Sequence, residues 1–559
     1  MQFAVDYHIK TKHSVNSIMN SQYKIDWNDR PISFKTYTNE LPTKILPTHF
    51  STPNMNAILS VNRIHPQNVE SNENDKEISL DYSNNNNKIE SKKLTLQDLS
   101  MILFFIGGIT RIIKNNNNIY YMRAAPATGA LYPIEIYIIC KNFSSDLNTG
   151  IYHFNPIEFS LKKIREGDYI KEVSKATTDK SEIQNSSLLL IFTSIAWRNA
   201  WKYQDRSYRH WFWDAGVITA NLLATNISSN IDSKIFLGFI DDKIDQILGL
   251  EKEKEATIAI VSFNTKQMPI INDKSNLESN PGINLTSMRT NPISKVEKSY
   301  PLIWKTHQSS KLFNGKEVFE WINAGLSQTT GFKDREFQPI QNGQILKRQN
   351  FPNECKISTF PSLGETILKR GSTRKFSRSP ISSSILSNIL FNSTRGIPMD
   401  FKKDIQTLVD IYLIINDVSG IDRGGYHYNQ YEHSLNLINY KTSRDLSGHV
   451  CLDQPLFSDA SVVLFLMSNL NKIIQTLGNR GYRAAQYEAG IIAGKIYLLS
   501  YAHSIGASGS TFYDDIVTDI FLPHSNDKNT MIAIGIGNPS YRSRAGKILP
   551  LLKNKKDIN

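Results

Sequence analysis

Arg370, Ser372 and Arg374 in the stretch RGSTRKF stand at positions i, i+2 and i+4. In an extended segment residues at that spacing point to one face. Two guanidiniums and a hydroxyl converging there suit a phosphate, since arginine offers planar, paired donors. A solvated basic turn ahead of a helix would look the same. A second stretch, Met122–Pro133, reads MRAAPATGALYP. Prolines bound its PATGALYP part, and the small residues between them let backbone N–H and C=O groups approach a flat ligand closely. A plain loop entering a buried strand is the other reading. Each stretch occurs once. No GxGxxG, Walker loop or HExxH accompanies them, so an ordinary dinucleotide or ATP site has no support.

The elements that must hold these residues come from an internal repeat. Gly150–Leu161 reads GIYHFNPIEFSL and Gly424–Leu435 reads GGYHYNQYEHSL, with seven of twelve positions identical at an offset of 274. The same offset aligns Tyr208-Arg209 with Tyr482-Arg483, Ala215-Gly216 with Ala489-Gly490, and IAI at 258 with IAI at 532. Asp241-Asp242 and Asp514-Asp515 pair at nearly the same distance. One offset held over more than a hundred residues indicates a tandem duplication. Each copy predicts a helix (Leu94–Leu103; Ile381–Leu390), a strand (Ile134–Ile139; Ile411–Ile415), the GxYHx hairpin and another strand (Leu188–Thr193; Ala460–Met467). A long helix (Tyr208–Ala224; Tyr482–Ser500) and a last strand (Thr257–Phe263; Met531–Ile536) follow. Strands mixed with long helices predict an α+β layered domain. Ser83–Asn87 takes the place in copy one that Arg370–Arg374 takes in copy two.

The expected layout is an N-terminal arm (1–65), an Asn-rich disordered loop (66–92), a first domain (93–264), a linker and connecting arm (265–355) packed over one domain, and a second domain (356–552). With 559 residues, two large domains are the sensible expectation. The three cysteines, Cys140, Cys355 and Cys451, lie far apart and have no metal-ligand spacing, so neither a disulfide framework nor a metal site is expected. The start, MQFAVDYHIK, has no apolar core of signal-peptide length. The longest apolar run, Met101–Ile109, falls far short of the roughly 20 residues a bilayer crossing needs. A cytoplasmic protein that binds neither membrane nor nucleic acid is expected. The net charge of +12 is scattered, with no aromatic-interleaved basic stripe.

The motifs MRAAPATGALYP, WKYQDRSYRHWFWDAG, GIYHFNP, RGSTRKF, NRGYRAAQYEAG and GASGSTFYDD together resemble the SagB-type branch of the FMN-dependent nitroreductase family, relatives of azoline oxidases. The resemblance covers most of the chain outside the Asn-rich loop and parts of the linker. It implies a tandem duplication of the nitroreductase-like fold, a central mixed sheet flanked by helices, with the two copies packed as an intramolecular pseudo-dimer. It also implies one FMN per chain between them. Carried over, Arg370, Ser372 and Arg374 of copy two hold the phosphate and ribityl chain. Pro126, Ala127, Thr128, Gly129, Ala130 and Leu131, with Tyr132, form the cradle under the ring. Gly506, Ala507, Ser508 and Gly509 lie by the ring edge, and Arg542 or Arg544 adds positive charge at the phosphate. Gln454 is a weaker candidate for the pyrimidine edge, or a surface residue at a strand entry. The commoner PSAGALYP is here PATGALYP, so Ala127 cannot offer a hydroxyl, although Thr128 can.

Lys202-Tyr203 matches a Lys-Tyr pair that azoline-oxidising members use near substrate. A desolvated lysine beside a tyrosine is a credible base for the proton left when hydride departs. Otherwise Lys202 is an exposed residue at a helix start and Tyr203 a packing aromatic. The Asp pairs suit helix N-termini better than acid–base work, and the Trp201/Trp211/Trp213 cluster suits a core. The expected function is oxidation of an azoline-like or other small or peptide-borne group, with electrons passing to oxygen and other enzymes of a peptide-modifying pathway as partners. An NAD(P)H-fed nitro or quinone reductase and a degenerate flavin-fold scaffold are the alternatives.

Overall fold

The computed structural model describes residues 3–62, 77–79, 94–115, 118–264, 288–328, 347–350, 354–356, 360–403 and 407–548. Most of the Asn-rich loop and of the linker lie outside these, as do Ser83–Asn87. Two seven-stranded sheets share one strand order. The first runs Thr43–Ile45, Ser160–Glu166, Gly150–Asn155, Ile134–Cys140, Leu188–Ile195, Glu255–Asn264, Asp232–Phe236. The second runs Lys347–Asn350, Ser434–Asn439, Gly424–Asn429, Asp410–Ile415, Val462–Ser468, Asn529–Gly537, Gly506–Ser510. The duplication read from the sequence is therefore a duplication of architecture. One detail differs. Every pairing in both sheets is antiparallel, not mixed. Hydrophobic periodicity locates strands but carries no information on their direction.

The central strands are continuous apolar runs, IEIYIIC at Ile134–Cys140 and VVLFLMS at Val462–Ser468, and every residue of both is buried. A strand covered on both faces has no need to alternate. The helix Leu96–Gly107 starts on a capping box between Thr95 and Asp98. From Leu99 onward it is buried on all sides and lies against the helix Ser207–Ser228, whose Asn221 donates to the Phe105 carbonyl at 2.9 Å.

The long helices Ser207–Ser228 and Arg480–Ala502 are the shared spine, buried along almost their whole length. They cross backbone against backbone at the repeated Ala-Gly pair. A Cβ built on Gly216 would stand 2.5 Å from the Tyr487 carbonyl oxygen, and one on Gly490 2.6 Å from that of Trp213. Beside the crossing, each copy's helix-start aspartate is held by two arginines of the other. Asp514 accepts from Arg206 and Arg209, both at 2.9 Å, and Asp241 from Arg480 and Arg483, both at 2.6 Å. All six side chains are buried. The exchange is isologous, as in a two-fold dimer, so the two copies form an intramolecular pseudo-dimer.

The arms extend this symmetry. Arg206 and Arg209 also donate to the carbonyls of Thr11 and His8 (2.5 and 2.8 Å), while Arg480 and Arg483 donate to those of Ser310 and His307 (3.1 and 2.9 Å). The His13 and Leu312 amides complete Asp514 and Asp241 at 2.8 and 2.9 Å. The helices Phe3–Lys10 and Pro301–Ser309 thus play equivalent parts. The connecting arm does not lie over one domain as expected. His307 faces Tyr208 of copy one, whereas Trp321 donates to the Leu477 carbonyl of copy two at 2.9 Å. Its residues fill the groove between the copies because the arginines there need its carbonyls.

Burial raises the carboxyls of Asp514 and Asp241, but the paired arginines outweigh it and hold both below the usual carboxylate range. Because these folded-state values lie below the unfolded value of about 3.9, the stabilisation is present above roughly pH 4 and is lost as pH falls further. Asp514→Asn should cost about 3–5 kcal/mol at pH 7, since it leaves buried arginine charge uncompensated, and should flatten the acid limb of the stability profile. Asp242→Asn, at a largely exposed carboxylate paired with Lys311, should change stability by under about 1 kcal/mol. Urea unfolding from pH 7 to pH 3 checks both.

Candidate functional site

The PATGALYP segment folds into one turn of 3-10 helix, Thr128–Ala130. Gly129, Ala130 and Tyr132 all adopt left-handed backbone (φ of +61°, +53° and +50°). For the two non-glycines that costs on the order of 1–2 kcal/mol each and needs support. Asp214 on the first long helix supplies it, accepting from the Thr128 amide at 2.8 Å and its hydroxyl at 2.7 Å. Arg30 donates to the Ala130 carbonyl at 3.3 Å, Arg198 to that of Tyr132 at 2.9 Å, and the Arg123 amide to the Tyr132 hydroxyl at 3.1 Å. Arg198 is itself anchored by Glu135. Burial raises that carboxyl, but Arg198 and His153 bring it down to about 2. Gly129 is exposed, and a Cβ there would stand 2.8 Å from the Tyr203 hydroxyl.

Arg370 caps the helix Leu363–Lys369 and crosses to copy one, where it donates to the carbonyls of Ala124 and Arg123 at 3.1 and 3.0 Å. Arg111 of copy one returns the exchange, donating to the carbonyls of Leu368, Lys369 and Arg370 at 3.1, 3.3 and 3.1 Å. The clamp segment and the cradle are therefore tied together at their bases. The three clamp residues do not share one exposed face as the i, i+2, i+4 spacing implied. Arg370 is buried because it sits on a helix end facing the other copy, Ser372 is half-buried beside the Tyr497 hydroxyl, and Arg374 is exposed. Between them, the Thr373 amide donates to the Ala507 carbonyl at 2.9 Å, which docks the segment on the strand Gly506–Ser510. The Thr373 hydroxyl would lie 2.1 Å from a Cβ at Gly506, so that glycine is needed for the close approach. The Gly509 amide donates to the Tyr497 hydroxyl at 2.6 Å. Gln454 is tied to the next residue, its amide donating to the Ser510 hydroxyl at 2.8 Å and the Cys451 carbonyl at 2.7 Å. Arg542 and Arg544 are exposed in a segment whose flanks pair with the clamp, the Ser540 amide on the Lys375 carbonyl (3.0 Å) and that of Gly546 on Leu368 (2.7 Å).

Lys202 and Tyr203 end the helix Ala196–Tyr203 rather than starting one, and Lys202 is half-buried. Its ammonium lies 5.3 Å from the Tyr203 ring centre. Burial lowers the lysine's pKa, and Arg30 and Arg374 lower it further. Burial, then Asp214, raises the Tyr203 phenol. Tyr203 meets His210 edge-on at 4.5 Å, and burial keeps that imidazole well below its ordinary pKa. Trp201, Trp211 and Trp213 are buried, as the core reading had it. Among the described residues Arg30, Lys202 and Arg374 have no carboxylate partner. The structure thus brings a strained, glycine-bearing turn, a lysine-tyrosine pair and unpaired cations from both copies to one place. A flat heteroaromatic group with an anionic tail fits that set.

Arg30, Arg111, Asp214 and Tyr497 escaped the sequence reading. Only Asp214 left a signal, because Glu488 lies 274 residues later.

The matching position in the other half is closed. The Ile235 amide donates to the Pro398 carbonyl and the Asp400 amide to the Ile235 carbonyl, both at 2.9 Å, and the Asp400 carboxylate accepts from Leu237 (3.1 Å) and Gly238 (2.9 Å). Phe401 follows into the core against Trp321 at 4.7 Å. Ile235 is the counterpart of exposed Gly509: Pro398–Asp400 covers this edge of the first sheet, whereas the equivalent edge of the second sheet is covered at Ala507 by Thr373 and exposed at Gly509.

Residues 367–538 match the family model described as "Nitroreductase family". A protein of Methanocaldococcus jannaschii, named as a nitroreductase, is 28% identical over 165 residues, which is 28% of this chain and 83% of that one. The microcin B17-processing protein McbC of Escherichia coli is 22% identical over 146 residues, 25% of this chain and 53% of McbC, so the chain spans about half of that relative. A crystal structure from Anabaena variabilis, also named as a nitroreductase, shares the fold over 96% of this chain and 100% of its own (TM-score 0.71, 22% identity). The likeness to that family lies in the second copy, and McbC and the trifolitoxin-processing protein TfxB are among the relatives that share it.

Arg111→Ala should unpair three carbonyls at the junction of clamp and cradle and cost about 1–3 kcal/mol. Lys114→Ala on the same hairpin should change stability by less than about 0.5 kcal/mol. Chemical denaturation of the two variants distinguishes them.

Proposed function

We propose that this chain is an FMN-dependent oxidoreductase that binds one FMN between its copies and oxidises an azoline-like or other small or peptide-borne group. The observation that carries this reading is the asymmetry of the pseudo-dimer. Cradle and clamp meet in one half, while Pro398–Asp400 covers the corresponding strand edge in the other. A peptide-borne substrate, and partners among other enzymes of a peptide-modifying pathway, draw support from the likeness to a microcin-processing protein.

In this reading the flavin, when bound, accepts hydride at N5. Arg374, Ser372 and the free side of Arg370 hold its phosphate and ribityl chain, with Arg542 or Arg544 adding charge. The turn Pro126–Tyr132 would support the ring, since Gly129 offers backbone without a side chain. The strand edge Gly506–Gly509 would offer polar backbone to the ring, with Gln454 bracing that edge through Ser510. Lys202 takes the substrate proton as hydride leaves. Its burial beside Arg30 and Arg374 favours the neutral amine that a base requires. Tyr203, whose hydroxyl borders Gly129, orients that amine.

Flavin released from the purified chain should amount to about one equivalent, and a value near two would overturn the single-site reading. Lys202→Ala should keep the flavin and lower turnover about 10²–10⁴-fold, the usual contribution of a general base. Tyr203→Phe should lower it less. Turnover is measured on azoline-bearing peptides beside nitroaromatics with NADPH, and full activity in Lys202→Ala would remove the lysine from the chemistry.

A further inference from the structure

We infer that Asp214 is a positioning residue of this site, a buried carboxylate that locks the tip of the cradle turn at Thr128 to the helix carrying Lys202 and Tyr203, beside the separate Arg198 link to Tyr132. Its effect on cofactor binding rests on the flavin reading above, whereas its effect on the turn does not. One oxygen, Oδ1, receives both the Thr128 amide (2.8 Å) and the Thr128 hydroxyl (2.7 Å). The other, Oδ2, receives the Asn199 side-chain amide at 3.3 Å. Asn199 lies one helical turn before Lys202 and Tyr203 on the same short helix. The turn at Thr128 and the helix at Asn199 therefore both converge on this one side chain. The turn it holds carries two consecutive left-handed residues, a conformation that springs open without a restraint. Tyr203 packs its hydroxyl over Gly129, so a shift of either segment separates the pair from the cradle.

The duplication supplies a comparison inside the same molecule. Glu488 occupies the corresponding place on the second long helix. There the carboxylate accepts from the Leu408 amide and pairs with Lys402 at 3.2 Å, in the half that is closed. An acid at this position secures the loop ahead of the central strand in both copies. Only in copy one is the secured loop the exposed turn of the site.

An ionised carboxylate is the better acceptor for two donors on one oxygen. Burial pushes the Asp214 carboxyl up to about 6, against the pull of the Thr128 and Asn199 hydrogen bonds. The groups that face it are Thr128 and Asn199 as donors, Tyr203 across the turn and Arg123 along the wall of the small cavity it borders. His210, one turn back on its own helix, is kept neutral by burial. When the turn opens, the carboxyl stays on its buried helix and loses the Thr128 donors that hold its pKa down, so it binds a proton more tightly there than in the closed turn. The closed turn is favoured while the carboxyl is ionised, and the restraint weakens as pH falls through about 6.

The test is hydrogen exchange of residues 126–132 in the flavin-free full chain from pH 5 to pH 8, read by mass spectrometry and corrected for the intrinsic rate. Wild type should lose protection about tenfold between pH 7 and pH 5. Asp214→Ala should show the unprotected level at every pH. Asp214→Asn, which keeps an acceptor but no charge, should show no pH step. Residues 398–402 of the closed half should not respond to either variant, which separates a local effect from general unfolding. Titration with FMN should follow the same pattern, with affinity about tenfold weaker in Asp214→Ala. Wild-type protection in Asp214→Ala, or a pH step that survives in Asp214→Asn, would overturn the inference. Failure of the wild type to take up FMN would instead overturn the flavin reading, and the exchange data would still decide the role of Asp214.

Discussion

Two buried aspartates, each gripped by two arginines of the opposite copy, are the constraint on which the rest of this molecule depends. Charges of this kind tolerate burial only when geometry is good and every remaining donor is satisfied. Asp241 meets that condition, since every donor group of Arg480 and Arg483 finds an acceptor, whereas at Asp514 Nε and Nη2 of Arg206 and Nε of Arg209 have no protein partner; both aspartates draw in amides and carbonyls from the two arms. The glycines at the helix crossing do the rest, allowing the backbones to touch and bringing the arginines within reach. Each half is incomplete without the other, because neither holds the partners of its own aspartate.

That symmetric frame carries an asymmetric site. The same strand edge appears twice, once accessible at Gly509 and once covered by Pro398–Asp400. The same acid position appears twice, as Asp214 under a strained turn and as Glu488 in an ion pair with Lys402. The extra methylene of glutamate accompanies a loop that dives into the core instead of standing at the surface. Two halves of similar architecture have thus separated into one whose strand edge is exposed at Gly509, beside the docked clamp segment, and one whose edge is covered by Pro398–Asp400.

The sequence revealed the duplication because GxYHx, the YR pairs and the Ala-Gly pairs all sit at positions where packing leaves little choice. It located the strands, since buried runs such as VVLFLMS have few other fates. It did not reveal that the sheets are antiparallel throughout, nor that the arms are equivalent, because His8 and His307 act through their carbonyls and backbone partners leave no mark on side-chain type. RGSTR was legible as a cluster but not as a geometry. Arg370 turns inward at a helix end, and only the position of copy one's carbonyls dictates that. Arg30 was invisible, since a lone arginine on an arm has no signature until the arm is folded back on the turn.

A complex of two identical chains would have to change both of its sites whenever it changed one, because the two-fold operator copies every substitution. Here the two copies share one polypeptide, and that bond is broken. It also alters how assembly depends on concentration. Two subunits must find each other and separate on dilution, whereas tethered partners meet at an effective concentration set by the connecting segment alone. The contact between the two copies therefore does not loosen on dilution, whatever the abundance of the protein.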